Sequence, residues 1–104
     1  MAARIAIDHE RLAEFGRRWK VAELALFGSV VRLDFRPDSD VDVLVTFAPD
    51  AEWSLLDHVT MEDELRLIFG RKVDLVIRRA IERSANWIRR RSILGAAESV
   101  YVAR

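Results

Sequence analysis

Three carboxylates interrupt two of the most apolar stretches of the 104-residue chain. Asp40 and Asp42 stand in Asp40-Val41-Asp42-Val43-Leu44-Val45, and Asp74 stands in Lys72-Val73-Asp74-Leu75-Val76-Ile77. Asp is disfavoured in strands, and a carboxylate in apolar surroundings is costly unless it is paired or holds a metal. In a strand, residues i and i+2 share one face with Cα atoms roughly 7 Å apart, so Asp40 and Asp42 can converge on one cation or a close pair. Asp74 has the same parity on its own stretch and joins them if the two strands are neighbours. Two carboxylates about 4 Å apart repel by roughly 4 kcal/mol at an effective dielectric of about 20. Such a cluster must raise a pKa or bind a divalent ion. An all-oxygen ligand set without His or Cys favours Mg²⁺ or Mn²⁺ over zinc. Two ions about 3.5–4 Å apart would bridge a triphosphate and activate an attacking hydroxyl.

Eleven residues before Asp40, Gly28-Ser29 ends another apolar stretch, Val21 to Phe27. A glycine lets the backbone approach an anion closely, and the amides at a helix N-terminus point toward it. The Ser29 hydroxyl adds a donor, and Arg32, one turn on, lies on the same helical face and can reach the same phosphate. A Gly-Ser pair alone is a common turn, and Asp-x-Asp alone is common in solvated turns. The specificity lies in the combination of strand, Gly-Ser, Arg, Ser-Asp-x-Asp and a third Asp on a later strand. No Gly-x-x-x-x-Gly-Lys occurs, which excludes a P-loop.

The elements that must position these residues follow from local signals. Asp8 can cap a helix to about Lys20, with Leu12 and Phe15 inward. Val21–Phe27 reads as a buried strand. A brief helix is expected from Ser29 to about Phe35, stopped by Pro37. From Asp40 to Phe47 the pattern alternates, with Val41, Val43 and Val45 on one face and Asp40, Asp42, Leu44 and Thr46 on the other. Ser54 and Asp57 form an acidic capping box. The helix they open carries Leu55, Leu56, Val59, Leu65, Ile68 and Phe69 at helical spacing, and Gly70 closes it. Arg71–Ile77 is a further alternating strand, a last helix is expected over about Ser84–Ala96, and Ser99–Val102 is extended. The order α-β-α-β-α-β-α, with a possible extra strand, predicts an α/β (α+β) fold with a small mixed sheet of three to four strands flanked by helices.

At these residues the chain resembles the polymerase-beta-like nucleotidyltransferase superfamily. More narrowly, it resembles the minimal nucleotidyltransferase (MNT) antitoxins encoded beside HEPN-domain toxins. The family pattern Gly-Ser-x-x-Arg-Gly, a gap, then Ser-Asp-x-Asp-Leu-x-Val reads here Gly28-Ser29-Val30-Val31-Arg32-Leu33 and Ser39-Asp40-Val41-Asp42-Val43-Leu44-Val45. Leu33 stands where many members have Gly, a departure that bears on how the loop closes over phosphates and leaves the acidic residues intact. The resemblance implies the nucleotidyltransferase fold, ATP as substrate and Mg²⁺ as cofactor. It also implies that Gly28 and Ser29 hold the β/γ-phosphates and that Asp40 and Asp42 ligate metal. Asp74 would complete a metal site and help deprotonate the acceptor hydroxyl. AMP would pass to that hydroxyl as pyrophosphate leaves, and in the toxin–antitoxin members the acceptor is a tyrosine of the HEPN toxin. The resemblance thereby names a HEPN-domain toxin as partner, with assembly of the two chains an accompanying expectation.

The bulk composition frames this reading. One domain over 1–104 is expected from length. With no cysteine, neither disulfides nor thiolate metal sites can form, which fits a cytoplasmic protein. No apolar run nears the ~18 residues of a membrane span, so a soluble chain is expected. Net charge is zero, yet residues 1–77 carry ten Lys/Arg against fifteen Asp/Glu, and residues 78–104 carry seven against two. The Arg89-Arg90-Arg91 run in that basic segment reads first as a solvated face and second as a docking surface for an acidic partner, with Trp87 beside it. No stacking motif accompanies it, so nucleic acid is not the expected partner. His9 and His58 read as surface or packing residues, and Trp19 and Trp53 as core or rim aromatics. Two other functions compete with the enzyme: a module that neutralises its partner by contact alone, and a small-molecule transferase of the aminoglycoside type, which would need a second domain or an oligomer to hold its acceptor.

Overall fold

The computed structural model describes residues 7–28 and 40–103. The first helix, α1 (His9–Arg18), starts at Asp8, whose Oδ1 accepts from the Arg11 amide at 3.2 Å, and buries Leu12 and Phe15. Strands β1 (Val21–Phe27) and β2 (Val41–Phe47) follow. Helix α2 (Leu55–Phe69) opens on the expected capping box: Ser54 Oγ accepts from the Asp57 amide, and Asp57 Oδ2 accepts from the Ser54 amide. It closes at Gly70 in the left-handed conformation, φ 68°. Strand β3 (Val73–Ile77), short helix α3 (Arg78–Glu82), helix α4 (Trp87–Ala96) and strand β4 (Glu98–Val102) complete the order.

The sheet runs β3-β2-β1-β4, with β1 antiparallel to both β2 and β4, and β2 parallel to β3. It is the expected mixed sheet, and the extended C-terminal segment supplies its fourth strand. The parallel pair is joined through α2, the helical crossover that parallel neighbours need.

Pleat alternation divides the apolar residues between two faces. Val41, Val43 and Val45 join Leu24, Leu26, Val73 and Leu75 on one face, sealed by Leu12 and Phe15 of α1 and Met61, Leu65 and Phe69 of α2. Trp19 and Trp53 pack at its rim with rings 5.0 Å apart and nearly perpendicular. On the other face, Ala25, Phe27 and Leu44 meet Ile81 of α3 and Ile93 of α4.

Two expectations change. The helix expected over Ser84–Ala96 begins at Trp87, because the Asn86 side chain accepts from the Arg89 amide at 3.1 Å and fixes the start; α3 precedes it as a separate turn directly after β3. On α2, Leu55, Leu56 and Val59 are exposed rather than part of the inner stripe. At 100° per residue, Leu56 and Val59 lie roughly 140–160° around the helix from Met61, which with Leu65 and Phe69 sets the buried line. The short helix expected from Ser29 to Phe35 lies outside the described residues. Among those described, no helix is long and apolar enough to cross a membrane.

Candidate active site

The second face of the sheet is built in rungs. Ala25 pairs with Leu44 and Leu44 with Val76, giving an apolar rung that the α3–α4 layer covers. One pleat repeat further, Phe27 pairs with Asp42 and Asp42 with Asp74. The same face that carries the second core therefore turns acidic at its end, on two adjacent parallel strands about 4.8 Å apart. Asp42 is half-buried and Asp74 exposed.

Strand β3 is the sheet's edge, and an edge amide needs a partner. Glu62 of α2 supplies it: its Oε2 accepts from the Leu75 amide at 2.8 Å. His58 Nε2, one helical turn earlier, lies 3.8 Å from the same oxygen. Asp74 is thus held in sequence between two ordered neighbours, with Val41 on the partner strand opposite Val73 and Val43 opposite Leu75.

Gly28 ends β1 beside this pair. Its φ is +74°, and a Cβ built there would run into the Asp42 carboxylate. The backbone conformation favours glycine, and the end of the Asp42 side chain fills the space a Cβ would take. Ser29, Arg32 and Leu33 lie outside the described residues. Asp40 is exposed and directly precedes β2; the Val41 amide that follows it donates to the Lys72 carbonyl at 2.9 Å.

Asp42, Asp74 and Gly28 line one open cleft of about 620 Å³, and Asp40 is not among its lining residues. Among the described residues, no group of three or more His, Asp or Glu side chains is close enough to hold a metal ion. Asp42 and Asp74 are cross-strand partners that line the cleft, and Asp40 directly precedes β2 at its exposed start. Two carboxylates nonetheless suit Mg²⁺, which is commonly bound by one or two carboxylates together with substrate phosphates and water. The space left by the missing Gly28 side chain keeps Asp42 accessible from the cleft, so the donor set fits that ion.

The opposite wall is formed by α4, through Asn86, Ile88, Arg89, Ser92, Ile93 and Ala96. This wall was not read as part of the site in the sequence. Its signal was present in the spacing 89, 92, 93, 96, which is one helical face. Ile93 anchors that face to the second core, so of the three consecutive arginines only Arg89 is turned into the cleft. The Arg90 guanidinium instead donates to the Ser84 carbonyl at 3.1 Å.

The chain matches the nucleotidyltransferase domain family model over residues 10–99. It is 39% identical over 69 residues to the protein adenylyltransferase MntA of Thermococcus cleftensis, a match spanning 66% of this chain and 68% of that protein. A solved structure described as a minimal nucleotidyltransferase superposes with a TM-score of 0.65 and 32% identity, covering 86% of each chain. The fold also matches a chain of a toxin–antitoxin complex solved with AMP-PNP, with a TM-score of 0.69 and 19% identity, over 94% of this chain and 76% of that one.

Proposed function

Since the chain belongs to the nucleotidyltransferase domain family, as a minimal nucleotidyltransferase, we propose that it transfers AMP from ATP to a hydroxyl of a partner protein and acts as an antitoxin. The resemblance in the Gly28-to-Asp42 motif implies a tyrosine of a HEPN-domain toxin as acceptor, and the relative named protein adenylyltransferase MntA supports transfer to a protein; the absence of cysteine fits the cytoplasm. The observation that carries the reading is the cross-strand pair Asp42–Asp74 facing Gly28 at the mouth of one cleft.

In this reading Asp42 and Asp74 hold Mg²⁺ with the triphosphate, and Asp40 assists from the start of β2. Gly28, with Ser29 and Arg32, cradles the phosphates. The metal would neutralise charge on the phosphates as pyrophosphate departs. The chain's own contribution is positioning: two carboxylates fixed by a parallel register, and a glycine turn that keeps backbone close to the anion. Asp74, the more exposed of the pair, would accept the proton of the incoming hydroxyl.

The test is mass spectrometry of a HEPN-domain partner co-expressed with the wild-type chain and with Asp42→Ala. A gain of AMP on the partner only with wild type is the expected result. An unmodified partner, with growth rescued equally by both forms, would establish neutralisation by contact instead.

A further inference from the structure

Among the described residues, Arg89 is the one cation that lines the cleft. Asp42 and Asp74 line the sheet side, Arg89 lines the helix side, and the guanidinium makes no ion pair among the described residues. A flexible arginine facing two carboxylates across a narrow gap would ordinarily close onto them. Here about 620 Å³ lies between the walls. That charge order, carboxylates on one side and a guanidinium on the other, suits an anion that meets metal on its first side and Arg89 on its second.

Resting on the nucleotidyltransferase reading above, we propose that Arg89 binds the polyphosphate of the nucleoside triphosphate, closing the phosphate site from the α4 wall. Three features fix its aim. Asn86 caps α4 and sets the helical register. Ile93, one turn on, is buried in the second core and holds that face toward the sheet. Ser92 lines the cleft on the same face and offers a second donor. Arg suits this role because its planar fork meets phosphate oxygens in pairs. Its neighbours Arg90 and Arg91 point elsewhere and do not line the cleft.

The experiment is calorimetric titration of ATP, ADP, AMP and adenosine, with Mg²⁺ present, into wild type, Arg89→Ala, Arg89→Lys and Arg91→Ala. Arg89→Ala should weaken ATP by about ten- to a hundredfold, as loss of a charge-assisted contact does. It should weaken AMP less and leave adenosine unchanged. Arg89→Lys should recover part of the ATP affinity, and Arg91→Ala should match wild type. Arg89 is exposed, so an unchanged melting temperature accompanies the result. Equal losses for ATP and adenosine would assign Arg89 to the nucleoside and overturn the proposal, as would unaltered ATP binding by Arg89→Ala. Failure of wild type to bind ATP at all would overturn the nucleotidyltransferase reading and this proposal with it.

Discussion

Glu62 on α2 accepts the Leu75 amide of β3 at 2.8 Å, so a helix on one face of the sheet secures the strand whose Asp74 serves the other face. Removing that acceptor leaves an edge amide without its partner. Glu62→Ala is expected to cost about 1–2 kcal/mol and to speed amide exchange at Leu75 more than at Val43. Glu62→Gln keeps an acceptor oxygen and should preserve most of the protection. Exchange measured by NMR checks both, and equal protection in Glu62→Ala and wild type would show that the bond holds nothing.

A side chain at Gly28 meets a positive φ and the Asp42 carboxylate at once. Gly28→Ala forces an L residue to φ +74° and drives its Cβ into the Asp42 carboxylate. The conformational part alone costs about 1–2 kcal/mol. A lower melting temperature and weakened Mg²⁺-ATP uptake are expected together, because relief of the clash moves Asp42. A variant with wild-type nucleotide affinity would contradict the close approach.

The Asp42–Asp74 pair sets like charges on adjacent strands. Asp74→Asn should therefore be at least as stable as wild type in EDTA while losing AMP transfer by about a hundredfold, the scale on which loss of one preorganised electrostatic group is felt. Mg²⁺-ATP at about a hundredfold excess over Kd should stabilise wild type by about 2.7 kcal/mol and leave Asp74→Asn nearly unmoved. Thermal melts with and without ligand decide it; a variant stabilised as much as wild type would remove Asp74 from the metal's ligands.

The α2 cap is remote from the cleft and provides a contrast. Ser54→Ala deletes the acceptor of the Asp57 amide and should cost about 1 kcal/mol. Nucleotide affinity should not change. A large drop in affinity at constant stability would mean that α2 acts on the site by a route other than Glu62.

The strands and the caps of α1 and α2 were legible because their signals are local: alternation over Asp40–Phe47 and Arg71–Ile77, Asp8 before α1, Ser54 with Asp57 before α2. Parity alone put Asp42 and Asp74 on equivalent faces, and the parallel register makes them neighbours. What sequence left out is set by tertiary contact. Leu56 and Val59 have helical spacing but turn away from the sheet, because Met61, Leu65 and Phe69 fill the available line. The break between α3 and α4 falls in an arginine-rich stretch whose apolar period rests on little beyond Ile81 and Ile93. The α4 wall of the cleft carries only the faint signal of the spacing 89, 92, 93, 96, which gains a direction once Ile93 is buried.

The sheet's two faces are unequally filled. Among the described residues, thirteen buried side chains hold α1 and α2 to one side, whereas five join α3 and α4 to the other. The free energy needed to lift an element follows the apolar contact that retains it. The aspartate strands therefore ride on the thick slab, and α4 rests on a thin seam. Of the two layers, the one held through Ile81 and Ile93 lifts from the sheet at the lower cost, while the strands bearing Asp42 and Asp74 stay packed on α1 and α2.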